Sequence, residues 1–213
     1  EEALIETVQD VAKDDHALVI YMGDMAECIL SDDKRWDDRC VADWCYEPWA
    51  RSNIALAQRD RLIDTLKSIP SDRVLGIIEG NHELTLRSRH RIDLTLDLSR
   101  ELDIPYLAQD AFVEVTFAFP KQEGKGGNCA RSFTIFATHG HGGGRKPGGK
   151  LNKMVDLGAF IDADLVLVGH HHDRLSMRSP RLGIDRNGNF VSRDRICVMT
   201  GTYLKTYQIG SPS

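Results

Sequence analysis

Short polar blocks that directly follow apolar runs are the feature that most constrains the fold of this chain. In chain order the blocks are Gly23-Asp24, Gly80-Asn81-His82-Glu83, His139-Gly140 and Gly169-His170-His171-His172. Each preceding run has the length and composition of a buried β-strand. Strand ends in one sheet can aim side chains at a single point, and carboxylate, amide and imidazole groups bind divalent metals. The blocks therefore predict a metal site.

The length of 213 residues, with 41% hydrophobic and 28% charged residues, indicates one ordinary globular domain. No apolar run is long enough to span a bilayer, so no membrane partner is expected. The net charge of −5 disfavours a surface devoted to nucleic acid but allows a local basic groove. The five cysteines are odd in number and irregularly spaced, which favours a reduced, cytoplasmic protein.

Helices alternate with strands in the first half of the sequence, whereas strands dominate the second half. This order predicts an α/β fold, a two-sheet β-sandwich flanked by helices, in a single domain over residues 1–213. Predicted helices cover residues 3–14, 52–68, 83–102 and 151–160, the second being capped by Ser52. Predicted strands cover residues 17–22, 73–78, 112–119, 132–138, 165–168, 174–179, 181–185, 190–199 and 202–209, with a hairpin turn at Asn187-Gly188.

Residues 25–51 have no clear period and are predicted to form a long insertion or lid. The segment contains three tryptophans, three cysteines and two pairs of adjacent aspartates. The tryptophans can stack nucleic-acid bases, or they can pack the insertion onto the domain, which is the commoner use of such side chains.

Several of the candidate ligands have ordinary structural alternatives. Asp24 can bind metal, or it can act as a helix N-cap or turn residue. His139 ends an apolar strand, where a lone histidine is more often structural than a ligand. His170 and His172 alternate in a segment expected to be extended, so they would share one face while His171 points away. Glu83 is interpreted as an ordinary charge in the first turn of a helix.

The order of the blocks resembles that of the calcineurin-like metallophosphoesterase superfamily, from residue 18 to residue 175. The matching elements are G-D-x-x-[DE] at Gly23–Glu27, G-N-H-[DE] at Gly80–Glu83, a histidine at His139 and G-H-x-H at Gly169–His172. The resemblance implies a four-layer arrangement, in which a two-sheet β-sandwich is flanked by helices.

The resemblance also implies a role for each site residue. The implied metal ligands are Asp24, bridging two ions, then Asn81, His139 and His170 for one ion and His172 for the other. His82 would contact the phosphate and act as a proton donor or transition-state stabiliser, with the Glu27 carboxylate orienting it. The cofactors would be two divalent ions, with Mn²⁺ favoured and Fe, Zn, Ni, Mg or Co also compatible.

The first element of the family pattern, D-x-H at the end of an initial strand, has no counterpart after a predicted strand ahead of Asp24. The sequence starts with the helix that would follow this strand, so we expect the first strand and its motif to be missing from these 213 residues. If the motif is truly lost, Asp24 and His172 alone would hold the first metal poorly.

The expected activity is metal-dependent phosphoester hydrolysis through a two-metal-activated water. A phosphodiesterase or nuclease is favoured over a monoesterase, with nucleic acids and nucleotides as candidate substrates. The V-D-R-G continuation typical of Ser/Thr protein phosphatases is missing after Asp24. Basic residues that can line a nucleic-acid path, or simply face solvent, are Arg87, Arg89, Arg91, Arg145, Lys146, Lys150 and Lys153. The alternative function is a non-catalytic binding or scaffold module that retains the fold with an incomplete metal site.

Overall fold

A computed structural model of the protein describes residues 2–119, 129–142, 147–185 and 187–203. These residues fold into two compact units, one reaching to Gln109 and including Tyr203, and the other covering Asp110–Thr202. The described strands form a two-stranded and a five-stranded sheet, accompanied by helices. The predicted α/β class is therefore confirmed. The two-sheet sandwich flanked by helices, in a single domain, stays a prediction.

The first unit combines helices with a two-stranded parallel sheet. Its elements are α1 (Glu2–Lys13), β1 (Val19–Tyr21), α2 (Pro48–Arg51), α3 (Ile54–Leu66), β2 (Val74–Ile77), α4 (Asn81–His90) and α5 (Leu94–Glu101), with 3₁₀ turns at Asp38–Cys40, Asp43–Tyr46 and Ser71–Arg73. In the sheet, Val19 pairs with Val74 and Tyr21 with Ile77. Because β1 and β2 are parallel, their carboxyl ends lie at the same sheet edge, where the first two polar blocks begin.

Apolar side chains from four helices and from β2 pack into the core of the first unit. They include Val8 of α1, Leu66 of α3, Ile77 of β2, Leu86 of α4 and Leu98 of α5. Burying one large aliphatic side chain contributes about 1.5–3 kcal/mol. This core therefore supports the ends of β1 and β2, which the polar turns follow.

The single helix predicted over residues 83–102 is wrong, because the structure divides it into α4 and α5. Arg91, which follows α4, has a left-handed backbone with a φ of 60°. Asp93 is the N-cap of α5, because its side chain accepts a hydrogen bond from the Leu96 N–H at 3.0 Å. Aspartate is a strong N-cap residue, and the regular spacing of the leucines concealed this signal in the sequence.

The predicted cap of α3 is wrong by one residue. The Asn53 side chain accepts a hydrogen bond from the Leu56 N–H at 3.2 Å, so Asn53 is the N-cap. Ser52 instead has helical backbone angles and ends α2. Both residue types favour N-caps, and only the position of the preceding short helix distinguishes them.

Replacing Asn53 by alanine is expected to lower the free energy of unfolding by about 1 kcal/mol, because the Leu56 N–H loses its partner. Ser52→Ala is the matched control and is expected to change stability by less than about 0.5 kcal/mol. Urea unfolding followed by circular dichroism measures both variants. Equal losses in the two variants would contradict the assigned cap.

The second unit is built on a five-stranded mixed sheet. Its elements are β3 (Asp110–Phe119), β4 (Cys129–Thr138), α6 (Pro147–Phe160), β5 (Leu165–Val168), β6 (Arg174–Ile184) and β7 (Phe190–Thr200). The strand order is β3-β4-β5-β7-β6, in which β4, β5 and β7 are parallel and the two edge strands pair antiparallel with their neighbours. The ends of β4 and β5 therefore lie side by side, and these strands precede His139 and Gly169.

Helix α6 packs on this sheet and begins earlier than predicted. Its Met154 is buried with Phe136, Val166, Cys197 and Met199, which come from three neighbouring strands. The helix was predicted to begin at residue 151 but begins at Pro147. Proline suits the first helical position, because its fixed φ is helical and that position has no N–H partner to lose.

The strands predicted over residues 174–179 and 181–185 form one continuous strand, β6. The sequence predicted a break between two strands at Pro180, but this residue lies within β6 and pairs in register with Asp194. Because β6 is an edge strand, a proline without an N–H can be accommodated there. The predicted hairpin is confirmed: Gly188 has a φ of 83°, and the Asp185 N–H donates to the Asn189 carbonyl at 2.9 Å. The predicted strand over residues 202–209 lies outside the described residues apart from its first two positions.

Candidate functional site

The turn after β1 is organised by one buried carboxylate, that of Glu83. The N–H groups of Asp24, Met25 and Ala26 all donate to Glu83, at 3.0, 2.6 and 3.2 Å. Glu83 is only 1% exposed, so these hydrogen bonds satisfy a group that would otherwise be costly to bury. The turn is sharp: Gly23 has a φ of 82° and Asp24 a φ of 50°.

The same carboxylate joins this turn to the turn after β2. The Gly80 N–H donates to Glu83 Oε2 at 3.2 Å, and the His82 N–H donates to Asp24 Oδ1 at 3.0 Å. Glu83 of the second turn therefore binds the backbone of the first turn, and Asp24 of the first turn binds the backbone of the second. Burial raises the pKa of Glu83 and the charge of Asp24 raises it further, while the backbone N–H donors act in the opposite direction.

The interpretation of Glu83 as an ordinary first-turn helix charge is wrong. Its side chain points away from solvent and holds the backbone around Asp24. The signal was present in the sequence, because Gly80 is the residue before α4 and Glu83 is its third residue, the spacing of a capping box. The sequence did not reveal that the carboxylate also reaches a second loop, 57 to 59 residues away.

The close approach of the two turns explains the glycine at position 80. A Cβ placed on Gly80 would lie 2.7 Å from Glu83 Oε2 and would overlap with Asp24. We expect Gly80→Ala to lower the free energy of unfolding by about 1–3 kcal/mol, the usual cost of overpacking.

Gly183→Ala is the matched control for this substitution, since a Cβ there meets no atom within 4 Å. Urea unfolding of both variants measures the difference. A loss of stability in Gly183→Ala as large as that in Gly80→Ala would contradict the steric explanation.

The remaining predicted residues of the first unit lie around His82. Asn81 is the first residue of α4 and is partly buried. His82 Nδ1 lies 3.7 Å from Glu27 Oε2, which is close enough for electrostatic attraction but longer than a hydrogen bond. On the other side of the ring, His82 Nε2 lies 3.4 Å from Arg35 Nη1. Arg35 was assigned no role in the sequence analysis.

The second unit brings His139 and His170 together. The Gly169 N–H donates to the Thr138 carbonyl at 3.1 Å, which joins the ends of β4 and β5. The two imidazole rings then meet edge to face, with centroids 5.3 Å apart and planes at 70°. His139 is 4% exposed. Two adjacent imidazoles at neighbouring strand ends can bind one metal ion.

The three consecutive histidines are not extended, so the predicted alternation of their side chains is wrong. His170 and His172 have φ values of 65° and 56°, in the left-handed region. His171 between them is buried, and its ring packs edge-on against His170 at 5.4 Å. Burial lowers the pKa of His171 to about 4, helped by nearby lysines, so this ring is neutral at neutral pH. His172 is exposed.

One D-x-H triplet does precede Asp24, but it does not end a strand. Asp14 and His16 lie in the turn between α1 and β1, where the His16 N–H donates to Asp14 Oδ1 at 2.9 Å. The Asp14 carbonyl also accepts a hydrogen bond from the Arg73 side chain. The triplet therefore lies before β1, whereas Asp24 follows the opposite end of the same strand.

The insertion and the basic residues are partly engaged in contacts within the chain. In the 25–51 segment, Trp44 stacks on Trp49 with centroids 5.8 Å apart, and the Arg61 guanidinium lies 4.8 Å above Trp44. Arg87 donates two hydrogen bonds of 2.7 Å to Glu79. Among the other basic positions, Lys150 pairs with Asp173, and Arg89 lies 3.6 Å from Asp33. Lys153 donates to the His141 carbonyl at 3.5 Å, and Arg91 follows α4, while Arg145 and Lys146 lie outside the described residues.

None of the described helices is both long enough and apolar enough to cross a membrane. Comparisons of the chain with protein-family models, with curated proteins and with solved structures find no significant match.

Proposed function

We propose that the chain is a metal-dependent phosphoester hydrolase. The observation that carries this proposal is the backbone conformation of the candidate ligands. Seven non-glycine residues in the described ranges have a positive φ, and three of them are Asp24, His170 and His172. Strained backbone is concentrated at functional sites, where it aims a side chain at its target. The motif order that resembles metallophosphoesterases supports the same conclusion, and the proposal includes the four-layer sandwich of that family.

The proposed ligands are Asp24, Asn81, His139, His170 and His172. One carboxylate, one amide oxygen and several imidazoles form a donor set that suits Mn²⁺, Fe²⁺ or Zn²⁺ better than an all-oxygen ion such as Ca²⁺. We favour two Mn²⁺ ions. When bound, such ions acidify a water molecule and offset charge on the phosphoryl oxygens.

The side chains around this centre have separate tasks. Glu83 fixes the Asp24 turn, so the carboxylate of Asp24 needs little rearrangement to bind. The Glu27 carboxylate lies on the Nδ1 side of His82, where it can orient the ring. The opposite nitrogen, Nε2, can then deliver a proton to the leaving alkoxide.

The proposed substrate is a phosphodiester rather than a monoester, and a nucleic acid or a nucleotide is compatible with this class. Arg87 is engaged in its two hydrogen bonds with Glu79, so it contributes less to a nucleic-acid path than its sequence position suggests. Arg89 is more available, with 54% of its side chain exposed.

A second function is a non-catalytic binding or scaffold module. The observation that favours it is the position of Asp14 and His16, because this D-x-H triplet lies at the opposite end of β1 from Asp24 and does not add to the proposed ligand set. Such a module would bind a phosphoester without cleaving it.

Mn²⁺-dependent cleavage of bis-p-nitrophenyl phosphate, compared with p-nitrophenyl phosphate, tests the proposal. The hydrolase proposal expects turnover that needs Mn²⁺, is abolished by chelation, and is faster with the diester. Binding of phosphoester without any turnover would favour the module instead.

A further inference from the structure

Arg35 places a fixed guanidinium beside His82. Its Nη1 lies 3.4 Å from His82 Nε2, the ring nitrogen that faces away from Glu27. Arg35 belongs to the segment that follows the Asp24 turn, and 38% of its side chain is exposed. A cation in this position can meet a solvent-borne ligand without a large movement of the chain.

Asp33 holds this guanidinium in a two-point fork. Arg35 Nε and Nη2 donate to the two Asp33 oxygens at 3.1 and 3.0 Å, and the Arg35 backbone N–H donates to Oδ1 at 2.9 Å. The Asp33 side chain is 9% exposed, and the hydrogen bonds from Arg35 hold its pKa well below the usual range. The fork uses Nε and Nη2, so Nη1 is the nitrogen that is turned towards His82.

A second fork of the same kind lies four residues further along the chain. Asp37 and Arg39 make the same contacts, with side-chain hydrogen bonds of 2.9 and 2.7 Å and a backbone one of 3.0 Å. The Arg39 side chain, however, is 89% exposed. The fork is therefore a local consequence of the Asp-x-Arg spacing, and the contact with His82 distinguishes Arg35.

Arg35 Nη1 and His82 Nε2 lie 3.4 Å apart, so a single polyatomic anion can contact both groups. The guanidinium N–H is a permanent donor, and it needs an oxygen acceptor from such a ligand. A phosphoryl oxygen is such an acceptor, because guanidinium groups bind phosphate through strong, directional hydrogen bonds.

We infer that Arg35 forms an oxyanion subsite beside His82 that binds the non-bridging oxygens of the substrate phosphoryl group, with Asp33 as the residue that positions Arg35. This inference rests on the proposed function for the identity of its substrate. Arg89 adds positive charge, since its Nη1 lies 3.6 Å from the same Asp33 carboxylate.

Equilibrium dialysis of the full chain with radiolabelled inorganic phosphate tests the subsite, with and without Mn²⁺. Arg35→Ala is expected to weaken phosphate binding by about tenfold to a hundredfold, the value of a hydrogen bond to a charged group. Arg39→Ala, which removes an arginine from an identical fork, is expected to bind as the wild type does. Arg35→Lys keeps the charge but not the fork, and it is expected to give an intermediate loss.

Unchanged phosphate binding in Arg35→Ala, or an equal loss in Arg39→Ala, would overturn the subsite. Hydrolysis of bis-p-nitrophenyl phosphate separates this failure from that of the proposed function. Turnover by the wild type with the same KM and kcat in Arg35→Ala overturns the subsite and leaves the hydrolase. Arg35-dependent phosphate binding without turnover overturns the hydrolase and leaves the subsite.

Discussion

Replacing His82 by alanine is expected to lower kcat for a dinucleotide phosphodiester by about a hundredfold to ten-thousandfold, the usual contribution of a general acid. The leaving group of such a substrate is an alkoxide, which needs a proton as it departs. The same variant is expected to cleave bis-p-nitrophenyl phosphate with a much smaller loss, because p-nitrophenolate is stable without a proton. The difference between the two substrates is the signature of proton donation.

His16→Ala is the matched control for this experiment. His16 is exposed and lies at the opposite end of β1 from the Asp24 turn, so its removal should leave both rates unchanged. Steady-state kinetics with the two substrates measures all four combinations. An equal loss on both leaving groups in His82→Ala would contradict a proton-donor role and would leave phosphate contact as the only role of the ring.

Replacing Glu83 by glutamine is expected to have the second largest effect. The amide keeps the volume of the side chain, but its NH₂ group cannot accept hydrogen bonds from the backbone N–H groups of Asp24, Met25 and Ala26. Leaving buried donors unsatisfied costs about 1–3 kcal/mol of stability. Because these donors shape the turn that carries Asp24, Mn²⁺ affinity is also expected to fall by about tenfold to a hundredfold, as for residues that orient metal ligands.

Glu79→Gln separates the two parts of this effect. Glu79 is also buried, with 2% exposure, but its carboxylate holds Arg87 rather than the Asp24 turn. We expect Glu79→Gln to lose stability with little change in Mn²⁺ affinity, as measured by urea unfolding and by metal titration. A parallel loss of metal affinity in both variants would show that Glu83 acts only through general stability.

The sequence was sufficient to locate the strand ends and the residues that follow them. Asp24 and His82 could be placed near one another because parallel strands share an edge, and a continuous apolar run indicates each strand. The turn conformations could not be obtained in this way. His170 and His172 were expected to be extended, but the chain turns immediately after β5, and nothing in three consecutive histidines indicates a left-handed backbone.

Contacts between residues far apart in the sequence were the second feature that could not be predicted. Glu83 follows a local capping spacing, so its sequence context explains only the hydrogen bond to Gly80 and not those to the Asp24 turn. Arg35 and Arg39 share the same local pattern, so only the fold distinguishes the arginine beside His82 from the one in solvent. Neither role could be found without the tertiary structure.

Metal content of the purified full chain tests the central claim most directly. After incubation with Mn²⁺ and gel filtration, mass spectrometry of the eluted protein should find about two ions per chain, the count of a binuclear hydrolytic centre. Asp24→Asn and His170→Ala should each lose bound metal, whereas His16→Ala should retain it. Retention of the full metal content by Asp24→Asn and His170→Ala, or no retained metal in the wild type, would contradict the proposed metal centre.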